Sequence, residues 1–296
     1  MIPERILEDL RLTPGTKAKL HKRDTGWAFA DELKTLDKGQ LKAEAHTILE
    51  KNRADLAAAQ NVLNADGTHA VLVVLQAMDA GGKDGTIKHV MSGVNPQGCR
   101  VWSFKQPSAE ERAHDFLWRY ELRLPERGTI GIFNRSYYED VLVVRVHPEW
   151  LGPARPKHLK KVWAARYADI NAFERHLSRS GTTVLKFFLH VSKDEQKRRL
   201  LDRLDDPTKH WKFSAADLAE RKHWDDYVAA YEDAITATST EWAPWHVIPA
   251  DHKWVARTAV AEVVSRAIRA LDLRYPKAVA EQEAALTAAR RELERE

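Results

Sequence analysis

The feature that most constrains this chain is a regular alternation of two patterns. Five short apolar runs, Val71–Leu75, Arg100–Phe104, Thr129–Phe133, Thr183–Leu189 and Trp245–Ile248, are separated by stretches with helical periodicity near 84–92, 108–124, 156–178, 193–204 and 214–238. Parallel strands need connections long enough to hold a helix. The order therefore predicts an α/β fold, doubly wound, with a mostly parallel sheet of about five strands flanked by helices. Ligands in such sheets sit at the carboxyl ends of the strands, so the residues just after each run are where chemistry is sought.

The flanks of this core read differently. Apolar residues at 41, 45, 48, 49, 56, 59 and 63 share one helical face, interrupted by Asn52, and Asp66-Gly67 ends the pattern. A long amphipathic helix from Lys38 is expected. The charged segment before it, with a turn at Pro14-Gly15 and Trp27 as an anchor, reads as an arm. The expected organisation is an arm and long helix packed on the core over 1–66, a catalytic domain over 67–275, and a helical tail over 276–296.

Composition narrows the function classes. The 47 Lys and Arg are nearly balanced by 43 Asp and Glu, giving a net charge of +4, which argues against a generic basic nucleic-acid binder. The longest clean apolar stretch, Val71–Leu75, falls far short of the ~18 residues of a spanning helix, and Met1–Leu12 mixes charged with apolar residues. The single cysteine, Cys99, has no partner within the chain for a disulfide. A soluble cytoplasmic protein is expected, with neither membrane nor nucleic acid among its partners.

The first strand leads into Gln76-Ala77-Met78-Asp79-Ala80-Gly81-Gly82-Lys83-Asp84-Gly85-Thr86. A strand, a loop of small residues ending Gly-Gly-Lys and a helix start are the parts of a phosphate cradle: glycines admit oxygens to backbone N–H groups, and Lys83 adds a cation. Two positions depart from the usual P-loop. Ala77 stands where the first glycine belongs, and Asp84 replaces the Ser or Thr that ligates Mg²⁺. Asp79 is then a candidate hard-oxygen ligand for the ion. The competing reading is a glycine-rich turn with a solvated lysine.

The third run ends in Asn134-Arg135-Ser136-Tyr137-Tyr138-Glu139-Asp140. P-loop enzymes place an acid at this strand end to help hold Mg²⁺. Here it is Asn134, so metal binding rests on Asp79, with Asn134 and Glu139 as further candidates. Arg135 has the planar fork that suits phosphate oxygens, or it pairs with Glu139 or Asp140. Farther on, Arg199 and Arg203 share a helix face, and Pro207 ends that helix before Lys209 and Lys212. This segment, about 198–215, reads as a lid that excludes water from a phosphorylated ligand, or as a solvated charged helix.

In order along the chain, these segments resemble the polyphosphate kinase 2 family, P-loop kinases that move phosphoryl groups between inorganic polyphosphate and nucleotides. The resemblance spans about Gly15 to Lys253. Besides the loop it rests on Ser103-Phe104-Lys105-Gln106-Pro107-Ser108, Phe116-Leu117-Trp118-Arg119, Phe133 to Asp140, and Asp206-Pro207 through Trp211-Lys212-Phe213. Family members commonly carry Asp-Ala-Ala-Gly-Lys, with Gly81 here in place of the second Ala, and Asn134 resembles the subgroup credited with phosphorylating both AMP and ADP.

The resemblance implies a P-loop kinase-like fold, Mg²⁺ or Mn²⁺ as cofactor, and polyphosphate with AMP, ADP and ATP as ligands of a homo-oligomer. It further implies that Asp79 and Lys83 act on the metal and the transferring group. Arg135, Arg203, Lys209 and Lys212 would hold phosphate oxygens, and Lys105 and Arg119 would contact polyphosphate or nucleotide phosphates. Gly81, Gly82, Asp84, Asn134 and Glu139 complete the expected binding set. The acceptor oxygen of such a reaction belongs to an already ionised phosphate, so no general base is needed.

Two other readings compete: an ATP-dependent nucleoside monophosphate kinase, and a non-catalytic nucleotide-binding protein with a decayed P-loop. Among the aromatics, Trp211, Trp224, Tyr227, Trp242 and Trp245 are candidates for stacking on a base. Asp251 is a candidate helix cap. Val141 to Ser180 carries eight Lys and Arg against three acids, a local basic stretch suited to guiding a polyanion.

Overall fold

The computed structural model describes residues 2–26, 37–151 and 158–296, with Lys38, Lys212, Ala280 and Glu281 described by their backbone alone. Trp27, Arg155 and Lys157 lie outside the described residues. The expected runs form strands β1 (Ala70–Ala77), β2 (Cys99–Ser103), β3 (Ile130–Asn134), β4 (Thr182–His190) and β5 (Trp245–Pro249). Their order across the sheet is β2-β3-β1-β4-β5, and every pairing is parallel. All eight residues of β1 are buried, which is why the central strand reads as a continuous apolar run without alternation.

The helices are α1 (Glu4–Leu10), α2 (Lys38–Asp66), α3 (Lys83–Val90), α4 (Ala109–Ala113), α5 (Trp118–Glu121), α6 (Glu139–Val146), α7 (Leu159–Arg179), α8 (Lys193–Asp205), α9 (Ala215–Glu220), α10 (Trp224–Thr238), α11 (Lys253–Arg269) and α12 (Ala280–Leu293). They form two layers over the sheet, α2 and α3 packing on α11, and α6 and α7 on α10. Helix α2 starts at a capping box, with Asp37 accepting from the Gly39 and Gln40 N–H groups while Gln40 caps back, and it ends at Gly67 in the left-handed conformation, φ 65°. The Asn52 interruption of its apolar face is a buried contact: Asn52 donates to Glu262 Oε2 at 2.8 Å, and Arg266 donates to the other oxygen at 2.6 Å. Both ends of that buried carboxylate are thus satisfied.

The arm packs into the core: Ile6, Leu7, Leu10, Leu12 and Leu20 join the hydrophobic cluster, and the Leu12 N–H donates to the Trp245 carbonyl at 2.8 Å. Three expectations change in detail. The 108–124 stretch forms two short helices, because Asp115 folds back to accept from the Leu117 N–H at 2.9 Å and competes with the helical ladder. The 214–238 stretch is likewise divided between α9 and α10 by the tighter turn Arg221–His223. Among the described residues no helix is long and apolar enough to cross a membrane. Asp251 does not cap α11, whose first flanking residue is His252; its two oxygens accept from the Ser192 N–H and the Thr25 hydroxyl, both at 2.7 Å.

Candidate active site at the ends of β1 and β3

β1 and β3 are neighbours, with Leu75 opposite Asn134, so the Met78–Gly82 loop and the segment after Asn134 emerge side by side. Both contain a residue forced into the left-handed region, Ala80 at φ 57° and Arg135 at φ 65°. Non-glycine residues rarely stay there unless the surroundings over-determine them. Gly82, φ 100°, leads into α3 and leaves its first N–H groups uncapped by any side chain. Gly81 is packed tightly: a Cβ there would lie 2.5 Å from the Ala77 Cβ and 2.8 Å from the Met78 carbonyl. The second Ala of the Asp-Ala-Ala-Gly-Lys pattern would therefore enter this loop only with a backbone shift.

Lys83 folds back under the loop and donates to the Ala77 carbonyl at 2.9 Å. Burial, reinforced by the nearby Arg135 guanidinium, pushes its pKa down to about 8, against the pull of Asp79, Glu139 and Asp84. Arg135 bridges two acids, reaching Asp79 Oδ1 at 2.7 Å and Glu139 Oε2 at 2.9 Å. Those carboxylates, Glu139 foremost, hold the guanidinium protonated against its burial. Arg135 takes one oxygen of each acid, so the two carboxylates keep further acceptor capacity facing the same space. Asn134 donates to Asp84 Oδ1 at 2.8 Å and to the Ser103 hydroxyl at 3.2 Å. An Asp in its place would set two carboxylates against each other.

A shallow open cleft lies beside this group, lined by Asp79, Arg135 and Glu139 and by Arg221, Trp224 and Tyr227. Two of the five candidate stacking aromatics thus line it. Trp245 is core, at 1% exposure, and Trp211 is exposed. From α8, Gln196 donates to the Asp79 carbonyl at 2.9 Å and Arg199 to the Ala80 carbonyl at 3.1 Å. These two brace the loop and were not among the expected site residues; the signal for them was the helix face they share with Arg203.

The remaining expected residues lie farther out. Arg203 pairs with Asp217 at 3.2 Å and Lys209 with Asp206 at 2.6 Å, on the α8 end and the turn Pro207–Lys212 that follows it; only the backbone of Lys212 is described. Arg119 is buried under the residues after β2, donating to the Lys105 carbonyl at 3.0 Å and the Tyr120 hydroxyl at 2.8 Å and pairing with Glu111 at 3.3 Å, while the Lys105 side chain is exposed. Cys99 opens β2, and burial pushes its thiol up to about 11, away from nucleophilic use.

Beneath the β3 turn lies a buried ion pair that sequence reasoning missed. Lys186 on β4 donates to Glu174 of α7 at 2.5 Å, to the Tyr138 hydroxyl at 2.9 Å and to the Thr238 carbonyl at 2.7 Å. Tyr137 and Tyr138 both donate to the other Glu174 oxygen at 2.9 Å. The network pins two consecutive residues between Arg135 and Glu139, and so fixes the turn that aims both.

Residues 39–276 match the family described as Polyphosphate kinase 2. The chain is 52% identical over 240 residues to an ADP-polyphosphate phosphotransferase of Rhodopseudomonas palustris, covering 80% of this chain and 83% of that one. It is 47% identical over 274 residues to an AMP/ADP-polyphosphate phosphotransferase of Meiothermus ruber, covering 92% and 96%. A crystal structure of polyphosphate kinase 2 from Arthrobacter aurescens TC1 superposes with a TM-score of 0.82 at 44% identity, over 95% of this chain and 96% of that one. A match across most of the chain, on the parallel sheet and loop just described, places this protein in the polyphosphate kinase 2 family of phosphotransferases.

Proposed function

We propose that the chain transfers the terminal phosphoryl group of inorganic polyphosphate to AMP and ADP, giving ADP and ATP. The observation that carries this reading is the convergence of Lys83, Asp79 and Arg135 at the ends of two adjacent strands, beside a cleft with an aromatic wall. The loop N–H groups and Lys83 bind the donor phosphates. Arg135 lies between the loop and the cleft, where the group in flight would carry its charge, and its planar fork suits the equatorial oxygens. Catalysis then consists of in-line positioning and charge neutralisation.

The donor set also suits a divalent ion. Asp79 and Glu139 flank Arg135 and offer hard carboxylate oxygens, while Asp84 is held by the Asn134 amide. Among the described residues no group of three or more His, Cys, Asp and Glu could hold a metal by itself, and Mg²⁺ commonly takes one or two carboxylates together with water and substrate phosphates. Bound there, Mg²⁺ or Mn²⁺ would supply charge neutralisation between donor and acceptor phosphates.

The test is an assay with purified protein, Mg²⁺, AMP or ADP, and either long-chain polyphosphate or ATP as sole donor. Polyphosphate should convert ADP to ATP; absence of that product refutes the reading, and AMP phosphorylation from ATP alone points to a nucleoside monophosphate kinase instead. Lys83→Ala should lower turnover at least about a hundredfold with the thermal unfolding midpoint retained.

A further inference from the structure

On the side of the loop away from the aromatic wall, three cations from two helices gather against the start of α3. Arg199 of α8 donates to the Ala80 carbonyl at 3.1 Å, to the Ala250 carbonyl, to the Asp251 carbonyl at 3.4 Å and to Glu195 at 2.7 Å. Its tip stays close to the loop: a Cβ on Gly82 would lie 3.3 Å from Arg199 Nη1. One helical turn along α3, a Cβ on Gly85 would lie 3.5 Å from Arg257 Nη2. Arg257 and Lys253 are four residues apart at the start of α11 and share its face.

Arg257 is the informative member. It is half-buried, and among the described residues its guanidinium has no hydrogen bond and no ion pair. Burial lowers its pKa, the Arg199 charge lowers it further, and no acid offsets either effect. Lys253 is lowered by burial and then by the like charges of Arg199, Arg198 and Arg257, with only Asp202 pulling the other way. A cation placed among cations gains nothing for the fold from that position. An incoming anion would turn the same repulsion into attraction, and Arg257 has five N–H donors to meet it.

We propose that Arg257 and Lys253, continuing from Arg199, form a track that carries the distal phosphates of a linear polyphosphate donor outward from the loop along the start of α11. The inference rests on the phosphotransfer reading above and adds to it the direction in which the donor chain leaves the site. The track begins where Gly82 and Gly85 let backbone and guanidinium groups approach one line, and it lies on the opposite side of the loop from the cleft wall of Trp224 and Tyr227. Donor tail and acceptor base therefore diverge. A chain long enough to pass Arg257 gains contacts that a short one cannot reach, so affinity should rise with chain length.

The test compares wild type with Arg257→Gln, Lys253→Gln and Arg257→Lys, using long-chain polyphosphate and tripolyphosphate as probes. Direct binding is measured by calorimetry across a salt series, and KM is measured for each donor with ADP. Arg257→Gln should weaken long-chain binding roughly tenfold, more than it weakens tripolyphosphate, and lower the slope of log affinity against log salt by about 1. Arg257→Lys should recover part of the loss. Lys253 is exposed, so Lys253→Gln gives the same readout in a variant with no packing to lose. Equal losses for both chain lengths, or no loss for either, would overturn the track while leaving ATP formation by wild type untouched. Conversely, Arg257-dependent binding of long chains with no ATP formed from ADP would refute the phosphotransfer reading and keep the track.

Discussion

Two cation–carboxylate networks lie on either side of the Ser136–Tyr138 turn, made of the same chemistry in different surroundings. Lys186 and Glu174 are both fully buried, and each polar atom of the pair is satisfied by Tyr137, Tyr138 or Thr238. Arg135, Asp79 and Glu139 keep 36%, 25% and 16% of their side-chain surface at the edge of the cleft. The first network has no capacity left for a ligand. The second leaves one oxygen of each acid uncommitted to Arg135 and sits on a backbone held at φ 65°. A saturated buried pair specifies geometry, and a half-exposed one of the same composition is poised to exchange partners with a phosphate.

Cutting each network in turn should separate the two roles, and this is the largest effect expected. Lys186→Ala leaves the Glu174 charge buried without a counter-ion and should cost about 3–5 kcal/mol of stability, read by denaturant unfolding. Replacing both members with apolar residues, Lys186→Met with Glu174→Leu, should recover much of that loss, because the uncompensated charge is gone. Arg135→Ala should instead lower turnover roughly a hundredfold or more while the unfolding midpoint stays near wild type. Similar destabilisation by Arg135→Ala and Lys186→Ala would erase the distinction.

A smaller effect is expected from pH, and it belongs to the cleft side alone. Lys83 is the one loop cation whose pKa is pushed down to about 8, so in the free enzyme it loses its proton as pH rises through that value. The protonated form is the one that neutralises phosphate. Hence kcat/KM for polyphosphate should fall above about pH 8, whereas kcat should hold to higher pH because bound phosphate favours the charged lysine. Lys83→Arg should flatten the fall if it retains activity. A kcat/KM profile level to pH 10 would contradict the role assigned to this amine.

How much of this was readable in the sequence depended on how local the cause was. The β1–loop–α3 unit is contiguous, and its spacing from Ala70 to Thr86 displays strand, cradle and helix start in order. Arg135 was legible because it directly follows a strand end. Helix 108–124 was misread because one short-range contact, from Asp115 to the Leu117 N–H, outweighs a helical period. Arg199 was visible as a helix-face residue, yet its aim at Ala80 depends on how α8 is rotated against the sheet. The Lys186–Glu174 pair joins a strand and a helix from different parts of the fold. Its only trace was a lysine inside the otherwise apolar run Thr183–Leu189.

The basic stretch from Val141 to Ser180 tests the same contrast between engaged and available charge at its weakest. Three of its six described cations have partners: Arg145 meets Asp233 and the Tyr167 hydroxyl, Arg166 pairs with Asp140 at 3.8 Å, and Arg175 lies 5.2 Å over the Trp242 ring. Lys160 and Lys161, exposed in the first turn of α7, and Arg179, exposed in its last, are left to act on a polyanion at a distance, and the adjacent lysines are the denser pair. Interactions of exposed charges are screened beyond about 10 Å at 0.1 M salt, so their contribution should be modest and strongest at low ionic strength. Lys160→Glu with Lys161→Glu should raise the polyphosphate KM a few-fold in dilute buffer, leave the nucleotide KM nearly flat, and lose the effect as salt is added. Equal rises in both constants would mean that the stretch steers nothing, and that its charge matters only where, as at Arg145 of α6 and Arg166 of α7, it is already paired.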